Sequence, residues 1–285
     1  MNYYIPLSIL FVALLFIVIR LFNPFKIDSF QAIVFNYLTA SICAFILTPQ
    51  TIELQPILKL LPYCLPIGLL FICIFYILAM VTRTVGVATA SVISKMSVII
   101  PVLAGLYLYN ENLNTYNAIG VALALIAVYL TNSQGSNKKV TWQGALLMIV
   151  YFVGSGLVDT SIKFAQVHWI DAANENIFIA LLFGSAAAIG FIKLTYDFLI
   201  AKKEVALKNA IGGIVLGTVN YFSIYFVIKA LQYPQAQSAT TFAIINIGVL
   251  LTAAFCGILF FKERYKVKNY AGFALAIVAI ILLSN

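Results

Sequence analysis

Long apolar segments, each about as long as a membrane-crossing helix, follow one another along the whole chain and constrain its fold more than any other feature. A helix needs about 20 mostly apolar residues to span a bilayer. Ten segments qualify: 4–23, 29–48, 58–82, 87–109, 114–133, 142–165, 173–196, 208–231, 236–261 and 267–284. Since 63% of the residues are hydrophobic and only 9% are charged, the composition excludes a soluble protein. The sequence predicts an all-α integral membrane protein with ten transmembrane helices.

The fifth and tenth segments resemble each other, together with the polar turns before them. NENLNTYNAIGVALALIAVYL aligns without gaps on KERYKVKNYAGFALAIVAIIL, and the informative identities are Glu111/Glu263, Asn117/Asn269 and Gly120/Gly272. A weaker similarity relates the first two segments to the sixth and seventh. This repeat predicts two five-helix halves, residues 1–133 and 142–285, joined by a linker at 134–141.

An odd number of helices in each half has a topological consequence. The second half must enter the membrane upside down relative to the first. Inverted repeats of this kind are typical of secondary transporters, which bind substrate near the midplane between the halves. The sequence therefore predicts two inverted repeats around a central cavity.

The two closing phrases, LYLYNENLNTYNAIGVALALIAVYL and ILFFKERYKVKNYAGFALAIVAIIL, also carry a family resemblance. They are similar to the closing motif of EamA-type proteins of the drug/metabolite transporter superfamily, in which an apolar helix ends in an acidic residue, followed by a polar turn and a Gly-containing helix. LVDTSIKFAQ resembles what such proteins carry in their sixth helix. The resemblance covers nearly the whole chain and implies transport of metabolites or drugs. The chain has Tyr-Asn-Glu and Phe-Lys-Glu where the family usually has Leu-Gly-Glu.

Lys95 lies inside the fourth apolar segment, where a charge is expensive. It would lie about 4–5 Å from the midplane, and a lysine stem of roughly 6 Å would not bring the ammonium to the interface about 15 Å away. A central charge costs at least about 2.5–3.5 kcal/mol and usually faces a cavity or a partner. Lys95, with Ser91 one turn earlier, therefore either recognises an anionic part of a substrate or pairs with carbonyls or a carboxylate for structural reasons.

Two asparagines are further candidates for substrate binding. Asn246 occupies the position of the second repeat that matches Lys95, so the repeat places two polar groups at similar depth. Asn220, with Ser223 one turn later, lies in the eighth segment. Each asparagine either orients a polar group of the substrate or hydrogen-bonds a neighbouring helix.

The remaining charged candidates lie in the sixth segment and at helix ends. Asp159 and Lys163 are four residues apart, a spacing that favours an ion pair, and Asp159 is also the sole predicted candidate for proton coupling. Glu111 and Glu263 end the helices before each closing motif, where either helix capping or a contact at a gate is expected.

Signatures of other functions are missing from the sequence. It has no GxSxG, no HExxH, no P-loop and no paired membrane carboxylates, so we predict neither an enzyme nor a protein that uses ATP. The four cysteines show no metal-ligand spacing, and the basic residues form no nucleic-acid-binding stripe. We predict no cofactor, no metal and no nucleic-acid partner.

Together these features predict a secondary transporter, an exporter or exchanger of small organic metabolites working by alternating access. Its substrate would be anionic or zwitterionic, and its membrane the cytoplasmic membrane of a bacterium. The alternative is a non-transporting membrane subunit or scaffold, which would lack a central cavity. Because only Lys59, Lys163 and Lys229 lie opposite the basic loops, the positive-inside rule predicts termini outside the cytoplasm, whereas the resemblance implies cytoplasmic termini.

Overall fold

A computed structural model describes residues 2–22, 24–48, 54–85, 87–109, 114–131, 141–171, 173–234, 236–261 and 266–283. For several helical residues, Ser91 among them, it describes the backbone only. These ranges form eleven α-helices: α1 Tyr4–Leu21, α2 Ser29–Ile46, α3 Leu54–Val85, α4 Val87–Met96, α5 Ile99–Leu108, α6 Thr115–Thr131, α7 Trp142–His168, α8 Glu175–Leu199, α9 Leu207–Gln232, α10 Ser238–Phe261 and α11 Val267–Leu283. No strand occurs in the described ranges.

Seven of the described helices are long and apolar enough to cross a membrane, by length and composition. They are α1, α2, α3, α7, α8, α9 and α10. The apolar stretches in α4–α5, α6 and α11 are shorter. The prediction of an all-helical, multi-pass membrane protein is therefore confirmed.

The fourth predicted segment, 87–109, differs from the single helix that was expected. It consists of α4 and α5, which are separated by a turn at Ser97 and Val98. Pro101 contributes to the break, because its ring nitrogen has no proton to donate to the carbonyl of Ser97 and its ring would collide with that carbonyl in a regular helix. The Ile100 amide donates to the Ser97 carbonyl instead, at 2.9 Å.

The helices of the first half pack mainly against helices of the second half. α2 contacts α8 and α9, α1 contacts α9 and α10, and α6 contacts α11. The pairing is reciprocal: α2 with α9 is matched by α8 with α3, and α1 with α9 is matched by α7 with α3. The two halves are thus interleaved across one common core.

α8 occupies the centre of that core. Its apolar sequence IFIALLFGSAAAIGF has no polar face, as expected for a helix surrounded by others. Phe178, Ile179, Leu182 and Phe183 are fully buried. α8 packs against α2, α3 and α9, which contribute to the walls of the site described below.

α2 and α9 approach each other closely through glycines of α9. A Cβ atom added at Gly213 would lie 2.5 Å from the Ala32 carbonyl oxygen, and one at Gly217 would lie 2.5 Å from the Asn36 carbonyl oxygen. Backbone atoms cannot move aside as side chains do, so this contact requires glycine. Small residues commonly allow such close packing in membranes.

Gly120 and Asn269, two of the residues that revealed the sequence repeat, lie at the contact between α6 and α11. The Asn269 side-chain amide donates to the Leu130 carbonyl at 3.2 Å, and a Cβ atom at Gly120 would lie 2.8 Å from Leu283. Ala127 and Ala279 are fully buried. The packing of α6 against α11 therefore explains why these positions carry the same residues in both repeats.

Candidate functional site

A cavity of about 290 Å³ lies between α1, α2, α3, α4, α7, α9 and α10. Its walls combine apolar residues with a set of polar ones. The polar lining residues are Tyr37, Ser94, Lys95, Tyr151, Ser155, Asp159, Asn220, Ser223 and Asn246. Many of them lie near the middle of their helices, so the cavity is far from the ends of the bundle.

Lys95 and Asn246 meet in the wall of this cavity. Lys95 is in the last turn of α4, just before the break, and Asn246 is on α10. The Lys95 Nζ donates to the Asn246 Oδ1 at 3.2 Å and lies 4.7 Å from the centroid of the Phe16 ring. Asn246 also donates through Nδ2 to the Phe242 carbonyl at 3.0 Å, which orients its oxygen toward the lysine. The ammonium is thus held by a neutral amide and an aromatic face.

α7 contributes a polar stripe to the cavity. Tyr151, Ser155 and Asp159 are spaced four residues apart, so they project from one face of the helix, and all three line the cavity. The hydroxyls of Ser155 and Ser94 are 3.4 Å apart, which links α7 to α4. This stripe carries the carboxylate of the site.

α9 contributes an amide and a hydroxyl. The Ser223 hydroxyl donates to the Asn220 carbonyl at 2.8 Å and lies 3.3 Å from the Asn220 Oδ1. Asn220 and Ser223 both line the cavity. Their polar atoms are available as hydrogen-bonding groups on the wall formed by α9.

Lys163 lies elsewhere, although it is one turn beyond Asp159 on the same helix. It is buried, its Nζ donates to Gln166 Oε1 at 3.0 Å, and it lies over the ring of Tyr109. Within the described residues, Asp159 forms no ion pair with Lys163 and accepts no hydrogen bond. The expected pair is therefore not seen, and Asp159 lines the cavity instead.

Three other candidates lie partly or wholly outside what the structure describes. The backbone of Ser91 belongs to α4, but its side chain lies outside what the structure describes. Glu111 and Glu263 lie outside the described residues altogether. Their predicted roles remain predictions.

Sequence reasoning missed two tyrosines and the apolar walls of the cavity. Tyr151 precedes Ser155 by one turn, so extending the polar stripe backwards would have found it. Tyr37 stacks against Phe183 at 5.7 Å between ring centroids, and no local pattern marks it. Phe71, Phe75 and Phe242 complete the walls but look like ordinary lipid-facing residues in the sequence.

The fold and the cavity define a multi-pass helical membrane protein with a partly polar cavity between its helices. The family model of the EamA-like transporter family matches residues 2–133. An uncharacterized protein of Haemophilus influenzae is 33% identical over 261 residues, covering 89% of this chain and 87% of that protein. This chain belongs to the EamA-like transporter family, within the drug/metabolite transporter superfamily.

The fold also matches a solved crystal structure. The TM-score is 0.73, and the alignment covers 99% of this chain and 98% of the other. The sequences are 10% identical, so the similarity concerns the fold alone. Family membership indicates a membrane transporter of the drug/metabolite type.

Proposed function

We propose that this protein is a secondary transporter that moves small organic metabolites by alternating access, as an exporter or exchanger. The observation that carries the proposal is the cavity in which Lys95 of α4 meets Asn246 of α10. The substrate would bind there, with an anionic group at Lys95 and polar groups at Asn246 and Asn220. Gating by Glu111 and Glu263 is part of the same proposal.

The proposed architecture has ten spans in two inverted repeats, 1–133 and 142–285, joined by a linker at 134–141. In this count α4 and α5 form one interrupted span. Two observations support it: the sequence repeat at the closing motifs, and the reciprocal pairing of α2 with α9 and of α8 with α3. A broken helix beside a midplane site is also characteristic of secondary transporters.

The surroundings of Lys95 support an anionic group in the substrate. In the described part of the chain no carboxylate lies within ion-pair distance of its Nζ, and the lysine is 8% exposed. A buried ammonium that contacts no carboxylate directly is unfavourable, even with Asp159 elsewhere on the cavity wall. A ligand carboxylate would supply the counter-charge, and its binding would be strongest where water is excluded.

The cavity also discriminates between the two functions considered. A non-transporting subunit or scaffold needs no polar space between helices, and tight packing of α4 against α10 would have favoured it. Lys95 and Asn246 instead line an open volume together with Asp159 and Asn220. This arrangement favours transport.

The proposed location is the cytoplasmic membrane of a bacterium, and the Haemophilus relative supports a bacterial setting. The charge bias of the loops supports cytoplasmic placement of Lys26, Lys202 and Lys203, with both termini on the opposite side. A cysteine placed at residue 202 should then react with an impermeant thiol reagent only from the cytoplasmic face.

The transport proposal is tested by counterflow in proteoliposomes. Vesicles are loaded in turn with amino acids, organic acids, sugars or cationic amines, and exchange of the labelled compound is measured. We expect at least one carboxylate-bearing compound to exchange, and Lys95→Met to abolish the exchange. Lys193→Met is the matched control, because Lys193 pairs with Asp197 at 3.1 Å on α8 and does not line the cavity.

Two results would contradict this function. Absence of exchange for every class would favour the scaffold. Equal exchange in the parent and in Lys95→Met would show that the lysine has a structural role only.

A further inference from the structure

The cavity contains two opposite charges that do not neutralise each other directly. Lys95 is on α4 and Asp159 is on α7, and both line the same space. No ion pair joins them in the described part of the chain. Each charge therefore faces the volume that a substrate would occupy.

The surroundings of the two charged side chains differ. Lys95 is directed toward Asn246 and the ring of Phe16. Between α4 and α7 the hydroxyls of Ser94 and Ser155 approach to 3.4 Å and occupy the contact between the helices. Asp159 lies one turn beyond Ser155 on the same stripe. The site thus presents a cation and an anion at separate places on its wall.

A ligand with a single charge would satisfy only half of this arrangement. A carboxylate at Lys95 would leave Asp159 unpaired and would add a second negative charge to a small volume. Like charges placed close together repel each other, and such repulsion is a common source of specificity. An ammonium alone would meet the corresponding difficulty at Lys95. A ligand carrying both charges avoids both penalties.

We infer that the site selects a zwitterion of the amino-acid class, with its carboxylate at Lys95 and Asn246 and its ammonium at Asp159. The inference rests on the proposed transport function and narrows its substrate class. The apolar group of the ligand would contact Phe71, Phe75 or Phe242. A cavity of about 290 Å³ is at the lower end of the usual range for ligand pockets, about 300–1,000 Å³, so the ligand is small.

The test uses two matched sets of compounds and the purified full-length protein in detergent. One set is leucine, 3-methylbutylamine and 4-methylpentanoate; the other is phenylalanine, phenethylamine and 3-phenylpropionate. Each set varies charge while keeping the apolar group nearly constant. Thermal stabilisation is measured at about 10 mM, enough to detect a dissociation constant of ~1 mM or below. Dissociation constants then follow from titration.

For the parent protein, we expect an amino acid to bind at least about tenfold more tightly than either single-charge analogue of its set. Lys95→Met should remove the preference for the amino acid over the amine. Asp159→Asn should remove the preference for the amino acid over the acid. Asp159→Glu keeps the charge and should keep the preference. Lys193→Met and Asp197→Asn remove charges away from the cavity and should behave like the parent.

The outcomes separate this inference from the transport function. The zwitterion inference is overturned if the acid binds the parent as tightly as the amino acid and Asp159→Asn does not change the affinity for either compound. Exchange of the acid in proteoliposomes would still establish transport. If the amino acid is preferred and both charges matter but no exchange occurs, the site stands and transport fails. If none of the six compounds stabilises the parent, the inference is overturned. A melting curve without ligand shows whether Asp159→Asn has folded.

Discussion

At the scale of single residues, an ion pair inside the protein ties the start of α8 to the end of α9. Glu175 Oε1 is 2.6 Å from Lys229 Nζ, and their side chains are only 7% and 20% exposed. Lys229 also lies 5.5 Å from the ring centroid of Tyr225. Nearby, the Tyr221 hydroxyl donates to Asn176 Oδ1, which reinforces the same contact. This end of the bundle is therefore held by buried polar interactions.

Breaking this pair should destabilise the protein strongly. Removing one partner of a buried pair leaves an uncompensated charge and costs about 3–5 kcal/mol. We expect Lys229→Met to lower the free energy of unfolding by that amount, and Glu175→Gln combined with Lys229→Met to lower it by less than Lys229→Met alone. Denaturant unfolding in detergent measures both. Lys203→Met, which breaks a pair whose lysine is 62% exposed, should change it by about 0–1 kcal/mol. Equal effects of Lys229→Met and Lys203→Met would refute this prediction.

The residues of the site show how far sequence reasoning reaches. The repeat relates Lys95 to Asn246 as equivalent positions, but equivalence does not imply contact, and only the crossing of α4 and α10 brings them to 3.2 Å. Asp159 was identifiable as a membrane carboxylate, whereas its orientation toward the cavity and away from Lys163 depends on tertiary packing. Glu175 and Lys229 lie at helix ends, where charges are ordinary, so nothing in the sequence marks their burial.

At the scale of the helix, the main feature is the break between α4 and α5, which directly follows the helical turn that carries Lys95. The sequence located the seven described helices of membrane-spanning length because hydrophobicity reports burial in lipid. Hydrophobicity alone did not locate the break, because it carries no information on backbone hydrogen bonds, whereas Pro101 in the sequence indicated a kink or a helix start nearby. α3 shows the opposite case: Pro62 and Pro66 lie within it, yet the helix is continuous. A proline alone therefore does not decide whether a membrane helix is interrupted.

Replacing Pro101 should repair the break. Pro101→Ala restores an amide that can donate to the Ser97 carbonyl, which adds a hydrogen bond worth about 1 kcal/mol. We expect amide hydrogen exchange in the segment 97–102 to slow by roughly fivefold, the rate equivalent of that energy. Exchange detected by mass spectrometry measures the change. Pro66→Ala is the control and should leave the amide exchange of this segment unaltered. An unchanged exchange rate in Pro101→Ala would show that another contact holds the turn.

At the scale of the whole molecule, alternating access predicts that the cavity is reached from both sides of the membrane in turn. In a protein whose native cysteines are replaced, Ser155→Cys should react with an impermeant thiol reagent from either face of sealed vesicles. Ser155 lines the cavity. Ser185→Cys is the control, because Ser185 is buried in α8 and donates to the Leu181 carbonyl. Ser185→Cys should stay unlabelled. Labelling of Ser155→Cys from one face only would contradict alternating access.

The interleaving of the halves has a consequence for biosynthesis. α1 and α2 find their main partners in α8, α9 and α10, which the ribosome makes long afterwards. At about 5–20 residues per second, α2 waits on the order of ten seconds or more before α9 emerges. During that interval Asn36 and the other polar groups of α2 meet lipid, chaperones or the insertion machinery. A nascent chain that stalls before α9 is therefore a natural substrate for membrane proteases, and quality control can act on the unfinished protein.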